Sequence, residues 1–378
     1  MQLSETVKLY LTKEQKTLLI RTMREYLYTT NHLVSIAVNG ISISKYTTAD
    51  VKANLPSALV NQCIRDAKSL VNQYKKECRK VALKKKKLEK QKSPVVVKEP
   101  TVPVIKKLCC YINNQNFKIK DDLIEFPVMV NGKSKRLSIH TSMTDRQKSI
   151  FAKKKLGTMR IVCKGNKIVM QLVYEVEEPE YTEDGTVMGI DLGIKCPAVS
   201  YSSNGSVKFY GNGRKNKYLR RHYRYLRKKL QKAKHFAAVK RMNKKEQRIM
   251  KNIDHKISHD IIETAVAEDV KVIKIEQLSK IRSTTRTSRK NNPTLHHWSF
   301  YRLAQYIEYK ARLAGIKVEY VNPAYTSQIC PICGHIHHAK DRKYVCKCGF
   351  HTHRDLLGAI NICNSTEYVG GSNTRHTA

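Results

Sequence analysis

The sequence contains no apolar run of about 20 residues, the length that a membrane-spanning helix needs, and no signal-peptide pattern near Met1. We therefore expect no membrane partner and a cytoplasmic protein. Acidic residues are also scarce, since 31 Asp and Glu stand against 72 Lys and Arg, and the formal net charge is +41. A charge of this size is too large for an incidental solvated surface. Because the lack of a membrane-spanning run and of a signal peptide disfavours an anionic membrane as the partner, the charge predicts nucleic acid instead.

At 378 residues the chain is long enough for two or three domains, each with its own core. Its 11 cysteines are odd in number, and one group of four is patterned. Cys330 and Cys333 form a Cys-x-x-Cys pair, and Cys346 and Cys348 form a Cys-x-Cys pair after a gap of hairpin length. Metal binding in a reducing compartment explains this pattern better than disulfides. Four thiolates at this spacing predict a structural Zn²⁺ site.

The second cysteine pair is Cys-x-Cys rather than the commoner Cys-x-x-Cys, which leaves room for a histidine to replace one thiol. The candidates for that replacement are His335, His351 and His353. Reduced thiols without a metal are the alternative interpretation of the cluster.

The first half of the chain predicts two long helices followed by a sheet. Val7–Leu11 alternates as a strand does, and Thr12 with Gln15 resembles a capping box that opens a helix ending near Val38. A second helix is expected over about 58–92. Its Lys-rich end is either a solvated helix end or linker, or a segment that contacts phosphates. An acidic linker is expected at 175–185. A small barrel or sheet is predicted from five strands, Lys106–Ile112, Leu123–Val130, Arg136–Ile139, Met159–Cys163 and Lys167–Tyr174.

Residues 214–251 contain one acid, Glu246, among many Lys and Arg. One packed side of a helix is supplied at the right spacing by Leu219, Tyr223, Leu226 and Leu230. So dense a positive charge on the other sides favours a polyanion alongside. The tyrosines suit stacking on bases, although core packing is their commoner role. We predict nucleic-acid contacts at Arg220, Arg221, Arg224, Arg227, Lys228 and Lys229.

Three acids lie where an apolar segment ends or a helix begins. Asp191 and Glu276 each follow a short apolar run, and Asp355 lies in the first turn of a predicted helix. Taken singly, each acid suits an ion pair or a cap. An acid on a first strand, one on a fourth strand and one on a late helix is the order of an RNase H-like fold. Three carboxylates brought together repel one another unless a multivalent cation lies among them, so the set predicts Mg²⁺ ligands for cutting a phosphodiester.

Four segments, 187–193, 274–278, 326–334 and 348–362, are together similar to one known family. They resemble TnpB, the RNA-guided nuclease that insertion sequences encode and that is related to type V CRISPR effectors. The N-terminal half matches more loosely. The resemblance implies an α+β multidomain fold, in which an N-terminal β-barrel wedge and a helical recognition lobe accompany a RuvC/RNase H-like α/β nuclease domain with a zinc-binding insertion.

The resemblance also implies where the domains begin and end. We expect the wedge at 1–12 and 101–178, the recognition domain at 13–100, the nuclease domain at 185–323 and 351–365, the zinc-binding insertion at 324–350 and a C-terminal tail at 366–378.

By motif position, the resemblance implies that Asp191, Glu276 and Asp355 hold Mg²⁺ or Mn²⁺ for DNA cleavage. A guide RNA would select target DNA next to a short flanking motif, with one protein per guide RNA, and the complex would lie on the prokaryotic nucleoid when bound to DNA. Family members commonly have Asn and Ala where this chain has Leu357 and Gly358. The alternatives are a type V CRISPR effector, an RNA-guided DNA-binding regulator that does not cut, and a strand-transferring transposase without an RNA partner.

Overall fold

The computed structural model describes residues 1–91, 96–165, 167–182, 184–242, 244–278, 300–339 and 341–366. The chain divides into two compact units between Glu177 and Glu178. Of the predicted C-terminal tail, only residue 366 lies within the described ranges. No helix in these ranges is both long enough and apolar enough to cross a membrane.

Two long helices form much of the first unit. Helix α1 (Lys13–Val38) begins after Thr12, whose hydroxyl accepts from the Gln15 N–H while the Gln15 side chain accepts from the Thr12 N–H. The predicted capping box is thereby confirmed. Helix α2 (Ser57–Lys90) packs against α1 through its apolar side. Across this pair, Tyr26 donates a 2.6 Å hydrogen bond to Asp66, which satisfies the buried Tyr26 hydroxyl.

The strands of the first unit form one seven-stranded antiparallel sheet in the order β2-β6-β7-β1-β5-β4-β3. Strands β2 and β3 are the two edges of this sheet. Within the described residues they do not pair with each other, so the sheet does not close into a barrel. Helix α3 (Asp145–Lys153), which the sequence analysis missed, lies between β5 and β6. The strands are β1 Gln2–Tyr10, β2 Cys109–Ile112, β3 Lys118–Lys120, β4 Leu123–Val130, β5 Lys133–Thr141, β6 Leu156–Lys164 and β7 Lys167–Glu175.

The second unit is built on a five-stranded sheet in the order β10-β9-β8-β11-β12. Its first three strands form an antiparallel meander, whereas β11 runs parallel to β8 and β12 runs parallel to β11. Strand β8, the first of these strands in the chain, is therefore central and pairs with β11, the fourth. These strands are β8 Thr186–Asp191, β9 Ala198–Ser202, β10 Val207–Tyr210, β11 Val270–Glu276 and β12 Lys317–Val321, with a separate hairpin of β13 Lys343–Val345 and β14 His351–His353.

Helices cover this sheet and complete a mixed α/β fold. The last helix packs on β8 and β9, and two other helices pack together through a shared apolar core that includes Ile261, Ile307 and Ala311. The helix that precedes β11 begins at Lys245. The helices are α4 Gly213–Lys232, α5 Phe236–Met242, α6 Lys245–Ala267, α7 Phe300–Leu313 and α8 Arg354–Asn364.

Candidate functional site

The three predicted acids come from the elements that the sequence indicated. Asp191 is the last residue of β8, Glu276 is the last residue of the neighbouring parallel strand β11, and Asp355 lies in the first turn of α8. Burial raises the pKa of Asp191 well above its usual range, and the carboxylates of Glu276 and Asp355 raise it further. The structure therefore brings the three acids close enough to act on one another electrostatically.

Two glycines allow α8 to lie directly on the sheet. A Cβ added to Gly189, in β8, would lie 2.3 Å from the Ala359 carbonyl oxygen and 2.4 Å from the Cys363 backbone nitrogen. A Cβ added to Gly358 would lie 3.2 Å from Cγ of Asp191. The close contact of strand and helix thus carries Asp355 towards Asp191. A glycine inside an apolar strand is the signal that could have predicted this close approach.

Asp355 has a cationic partner in the preceding loop. The Arg342 guanidinium donates a hydrogen bond to Oδ1 of Asp355, and the Arg342 carbonyl oxygen accepts a 2.7 Å hydrogen bond from the Arg354 N–H. The positive charges of Arg342 and Arg354 oppose the rise in the Asp191 pKa. No local sequence signal marks Arg342, because its proximity to the acids arises only from the fold.

His353 has a local structural role at the start of α8. Its Nδ1 accepts a 3.2 Å hydrogen bond from the Asp355 N–H, so the imidazole acts as the N-cap of the helix. The ring lies edge-on to Phe209, with 5.4 Å between the ring centres. These contacts hold the first turn of α8, where Asp355 is located.

Glu276 receives a hydrogen bond from the segment that precedes the cysteine cluster. The Thr326 hydroxyl donates to Oε1 of Glu276. Burial raises the pKa of Glu276, and this hydrogen bond opposes the rise. The side-chain amide of Asn361 in α8 donates to the carbonyl oxygens of Thr326, at 2.7 Å, and of Ile329, at 2.8 Å. Sequence reasoning assigned no role to Thr326 or Asn361.

A buried lysine holds the other end of α8. Lys274, in β11, is 8% exposed, and its Nζ donates to the carbonyl oxygens of Cys363, at 3.1 Å, and Ser365, at 2.8 Å. The carbonyl groups of a helix C-terminus have no partners within the helix and carry partial negative charge, so they suit an ammonium group. Lys274 therefore ties the strand that carries Glu276 to the helix that carries Asp355.

The four predicted cysteines form a compact cluster. Their Sγ atoms all lie within 4.8 Å of one another, with 3.6 Å between Cys330 and Cys348 and 3.5 Å between Cys333 and Cys346. Tetrahedral Zn²⁺ with bonds of about 2.3 Å places thiolates about 3.8 Å apart, so the donor set fits this ion. A hydrogen bond from the Cys348 backbone is the main reason that the pKa of the Cys346 thiol falls to about 7, which favours the thiolate that binds metal.

Among the described residues, this cysteine cluster is the one group of His, Cys, Asp or Glu whose potential ligand atoms are so closely gathered. The three acids are not part of such a group, and Asp355 is paired with the Arg342 guanidinium. Four thiols complete a tetrahedral set without help from His335, His351 or His353.

Helix α4 divides the six predicted cationic contacts into two groups. Arg221, Arg224, Lys228 and Lys229 are exposed, as are the rings of Tyr218 and Tyr225. Arg220 and Arg227 are half-buried on the packed side with the apolar residues. Arg227 forms a 2.7 Å ion pair with Glu246, and burial lowers the pKa of Arg220. The exposed group is therefore available to phosphates, whereas Arg227 already has an anionic partner.

Comparisons with known proteins agree with the family suggested by the sequence. A family model described as a probable transposase matches residues 171–282, and one described as a Cas12f1-like TNB domain matches residues 300–362. A TnpB-like protein of Methanocaldococcus jannaschii is 29% identical over 273 residues, which cover 67% of this chain and 94% of that protein. This chain is similar to a TnpB-like protein. The resemblance inferred from the four sequence segments is confirmed.

CRISPR-associated proteins are similar to this chain as well. The endodeoxyribonuclease Cas12f1 of Syntrophomonas palmitatica is 30% identical over 202 residues, which cover 48% of this chain and 38% of that protein. The cryo-EM structure of Cas12f1 with single-guide RNA and target DNA aligns with a TM-score of 0.59, at 16% identity, over 93% of this chain and 84% of that chain. CasPhi-2 bound to crRNA aligns with a TM-score of 0.51, at 11% identity, over 96% and 98%. The two structures show that the fold is shared with Cas12 effectors.

Proposed function

We propose that this chain is an RNA-guided DNA endonuclease. The observation that carries the proposal is the convergence of Asp191, Glu276 and Asp355 on the sheet of the second unit, where the carboxylates of Glu276 and Asp355 raise the pKa of Asp191. The relatives support it, since the Cas12f1 proteins are named endodeoxyribonucleases and the TnpB-like protein aligns over most of its length. The net charge of +41 supplies the attraction for RNA and DNA backbones.

The proposal assigns a task to each unit. The first unit, Met1–Glu177, would contain the wedge and the recognition helices, and the second, Glu178–Ala378, would contain the RuvC-like nuclease domain with the zinc-binding insertion at 324–350. The strand order of the second unit supports this assignment, because its first strand is central, pairs with its fourth, and both strands end in an acid. The exposed cations of α4 would contact phosphates.

Three carboxylates are the donor set that Mg²⁺ and Mn²⁺ prefer, so Asp191, Glu276 and Asp355 fit these ions as ligands. When bound, such ions activate the attacking water and stabilise the leaving oxygen of the phosphodiester. The protein side chains orient and balance the three carboxylates. Thr326 donates to Glu276, His353 caps the turn that carries Asp355, and Arg342 supplies positive charge beside Asp355.

A plasmid cleavage assay with the protein and a guide RNA recovered from its own copurifying RNA tests the proposal. We expect Asp191→Ala, Glu276→Ala and Asp355→Ala each to abolish cleavage while RNA and target binding stay within about twofold, because binding rests on cations and base pairing. Cleavage should stop when Mg²⁺ is omitted and return with Mg²⁺ or Mn²⁺. Glu263→Ala, an exposed acid of α6 that pairs with His259, is the matched control and should cut at the wild-type rate.

Each outcome separates the proposal from its alternatives. Wild-type protein that binds its RNA and the matching DNA without cutting would instead be an RNA-guided regulator. Protein that joins DNA strands and copurifies with no RNA would be a transposase. Cleavage by all three acid variants would overturn the nuclease site altogether.

A further inference from the structure

We infer that Thr326 is a positioning residue for Glu276. Through Thr326, the zinc-binding segment, residues 324–350, would set the geometry of the proposed nuclease site. The inference rests on the proposed function and adds to it a residue outside the three acids. Thr326 lies four positions before Cys330, and it is 9% exposed. Its hydroxyl donates to Oε1 of Glu276, which lies 50 residues earlier in the chain.

The hydroxyl of Thr326 has one proton and two acceptors within reach. The Pro323 carbonyl oxygen is 3.4 Å away, which is long for an O–H···O hydrogen bond, whereas Oε1 of Glu276 lies within hydrogen-bond distance. An ionised carboxylate can only accept hydrogen bonds, and hydrogen bonds to charged acceptors are shorter and stronger than those to neutral ones. The Thr326 hydroxyl therefore donates its hydrogen bond to Glu276. In a partly buried site this bond replaces lost hydration and fixes the orientation of the carboxylate.

The backbone around Thr326 is held independently of its side chain. Asn361 of α8 donates to the Thr326 and Ile329 carbonyl oxygens, as described above. The preceding residue, Tyr325, has a φ of 60°, a left-handed conformation that aromatic residues rarely adopt. Its ring is 55% exposed, so packing of the ring does not impose that conformation. Strain of this kind persists where the surrounding structure over-determines the backbone, and here it directs the next residue towards Glu276.

Hydrogen bonds continue from Thr326 to the cysteine cluster. The Tyr325 carbonyl oxygen accepts from the Gln328 N–H at 2.8 Å, and the Gln328 carbonyl oxygen accepts from the Tyr344 hydroxyl at 3.2 Å. The Cys330 N–H donates to the His335 carbonyl oxygen at 3.0 Å. A Zn²⁺ ion that orders the four cysteines would thus also order Thr326. The zinc-binding segment contributes a hydroxyl to the nuclease site in addition to stabilising its own loop.

The test compares two substitutions that differ in the hydroxyl. Thr326→Val keeps the shape and removes the donor, whereas Thr326→Ser keeps the donor. Thr30→Val is the matched control, because Thr30 is fully buried and its hydroxyl donates to the Tyr26 carbonyl oxygen at 2.8 Å within α1. Mn²⁺ binding to the zinc-loaded full chain without nucleic acid is measured by electron paramagnetic resonance. Cleavage by the protein–RNA complex is measured in parallel against Mg²⁺ concentration.

We expect Thr326→Val to weaken Mn²⁺ binding about tenfold, as loss of a hydrogen bond to a charged group does, and Thr326→Ser to stay within about twofold. The Val variant should need more Mg²⁺ for cleavage and approach the wild-type rate at saturation. Wild-type affinity in Thr326→Val, equal losses in Val and Ser, or the same loss in Thr30→Val would overturn the inference. A wild type that does not cut, and whose Mn²⁺ binding Asp191→Ala leaves unchanged, would instead refute the proposed nuclease.

Discussion

Arg342 donates a hydrogen bond to Oδ1 of Asp355, so a residue of the zinc-binding segment neutralises one of the three clustered acids. Its charge also opposes the raised pKa of Asp191. The guanidinium stands at the place where a divalent cation would be attracted. In the metal-free protein it therefore supplies part of the charge balance that divalent ions would supply at the proposed site.

Replacing this arginine should make the fold more dependent on cations. We expect Arg342→Gln to lower the unfolding temperature of the metal-free nuclease site, at a cost of about 1–3 kcal/mol, and to enlarge the stabilisation by Mg²⁺ or Mn²⁺. Differential scanning fluorimetry with and without Mg²⁺ measures both effects. Arg312→Gln is the control, since Arg312 pairs with Glu308 within α7 at 2.7 Å. An equal Mg²⁺ response in wild type and Arg342→Gln would contradict this role.

The raised pKa of Asp191 predicts how stability depends on pH. The native state holds this proton more tightly than the unfolded chain does, so metal-free stability is lost as pH rises through the raised pKa. Asp191→Asn removes that loss. At about pH 8 the variant should unfold at a higher temperature than wild type, and the difference should shrink as the pH is lowered towards about 5. The buffers omit Mg²⁺ and contain no chelator, so that zinc is retained; a pH-independent difference would argue against this origin.

The contact between β8 and α8 predicts that Gly189 tolerates no side chain. A Cβ at 2.3 Å from the Ala359 carbonyl oxygen must displace the helix, and overpacking of this kind costs about 1–3 kcal/mol. We expect Gly189→Ala to destabilise the second unit and to abolish cleavage by moving Asp355. Gly358→Ala probes the same contact with a nearest distance of 3.2 Å and should be milder in chemical denaturation. Equal midpoints for the two variants would show that the close approach is unimportant.

The cysteine cluster predicts one Zn²⁺ per chain. Cys333→Ser should lower the zinc content measured by elemental analysis and speed proteolysis within 326–350, because the thiolates hold a segment with little core of its own. Cys78→Ser is the control, because that half-exposed cysteine lies in α2, far along the chain from the cluster. Zinc-free wild-type protein from a purification without chelators would rule the site out.

The split of cations on α4 predicts two different phenotypes. Replacing Arg221, Arg224, Lys228 and Lys229 together with Gln should reduce the slope of log affinity against log salt for the copurifying RNA, by up to about 0.7–0.9 for each lost phosphate contact. Arg227→Gln should instead lower stability with little change in slope, since Arg227 is paired with Glu246. Filter binding across salt concentrations separates the two. Identical slopes for both variants would place the RNA elsewhere.

The sequence predicted those elements whose signals are local. The capping box of α1 and the span of β4 follow from side chains within a few residues of one another. Strand β3 has three residues, too few to show a periodicity, and β12 is a half-buried edge strand interrupted by Lys317 and Glu319. Helix α3 could have been predicted, because Thr144 and Gln147 form a second capping box.

The candidate site also contains residues with a local sequence signal and residues whose role depends on the fold. Asp191 and Glu276 could be predicted because a carboxylate that ends an apolar strand is visible in the sequence. Thr326 and Arg342 could not, because their contacts with Glu276 and Asp355 join residues 50 and 13 positions apart and exist only after the sheet, α8 and the loop have packed. The domain boundaries implied by the resemblance and the metal roles of the acids stay predictions.

The packing of α8 on the central strand also governs when the proposed activity can arise during translation. After the ribosome has incorporated Asp191, it must add 164 further residues to reach Asp355. At about 5–20 residues per second this takes roughly 10–30 s, during which the earlier part of the chain can fold and engage RNA. A nascent chain at that stage lacks one of the three acids and the helix that covers β8. Any nuclease activity would therefore begin only after nearly all of the chain, including the first unit, has been made.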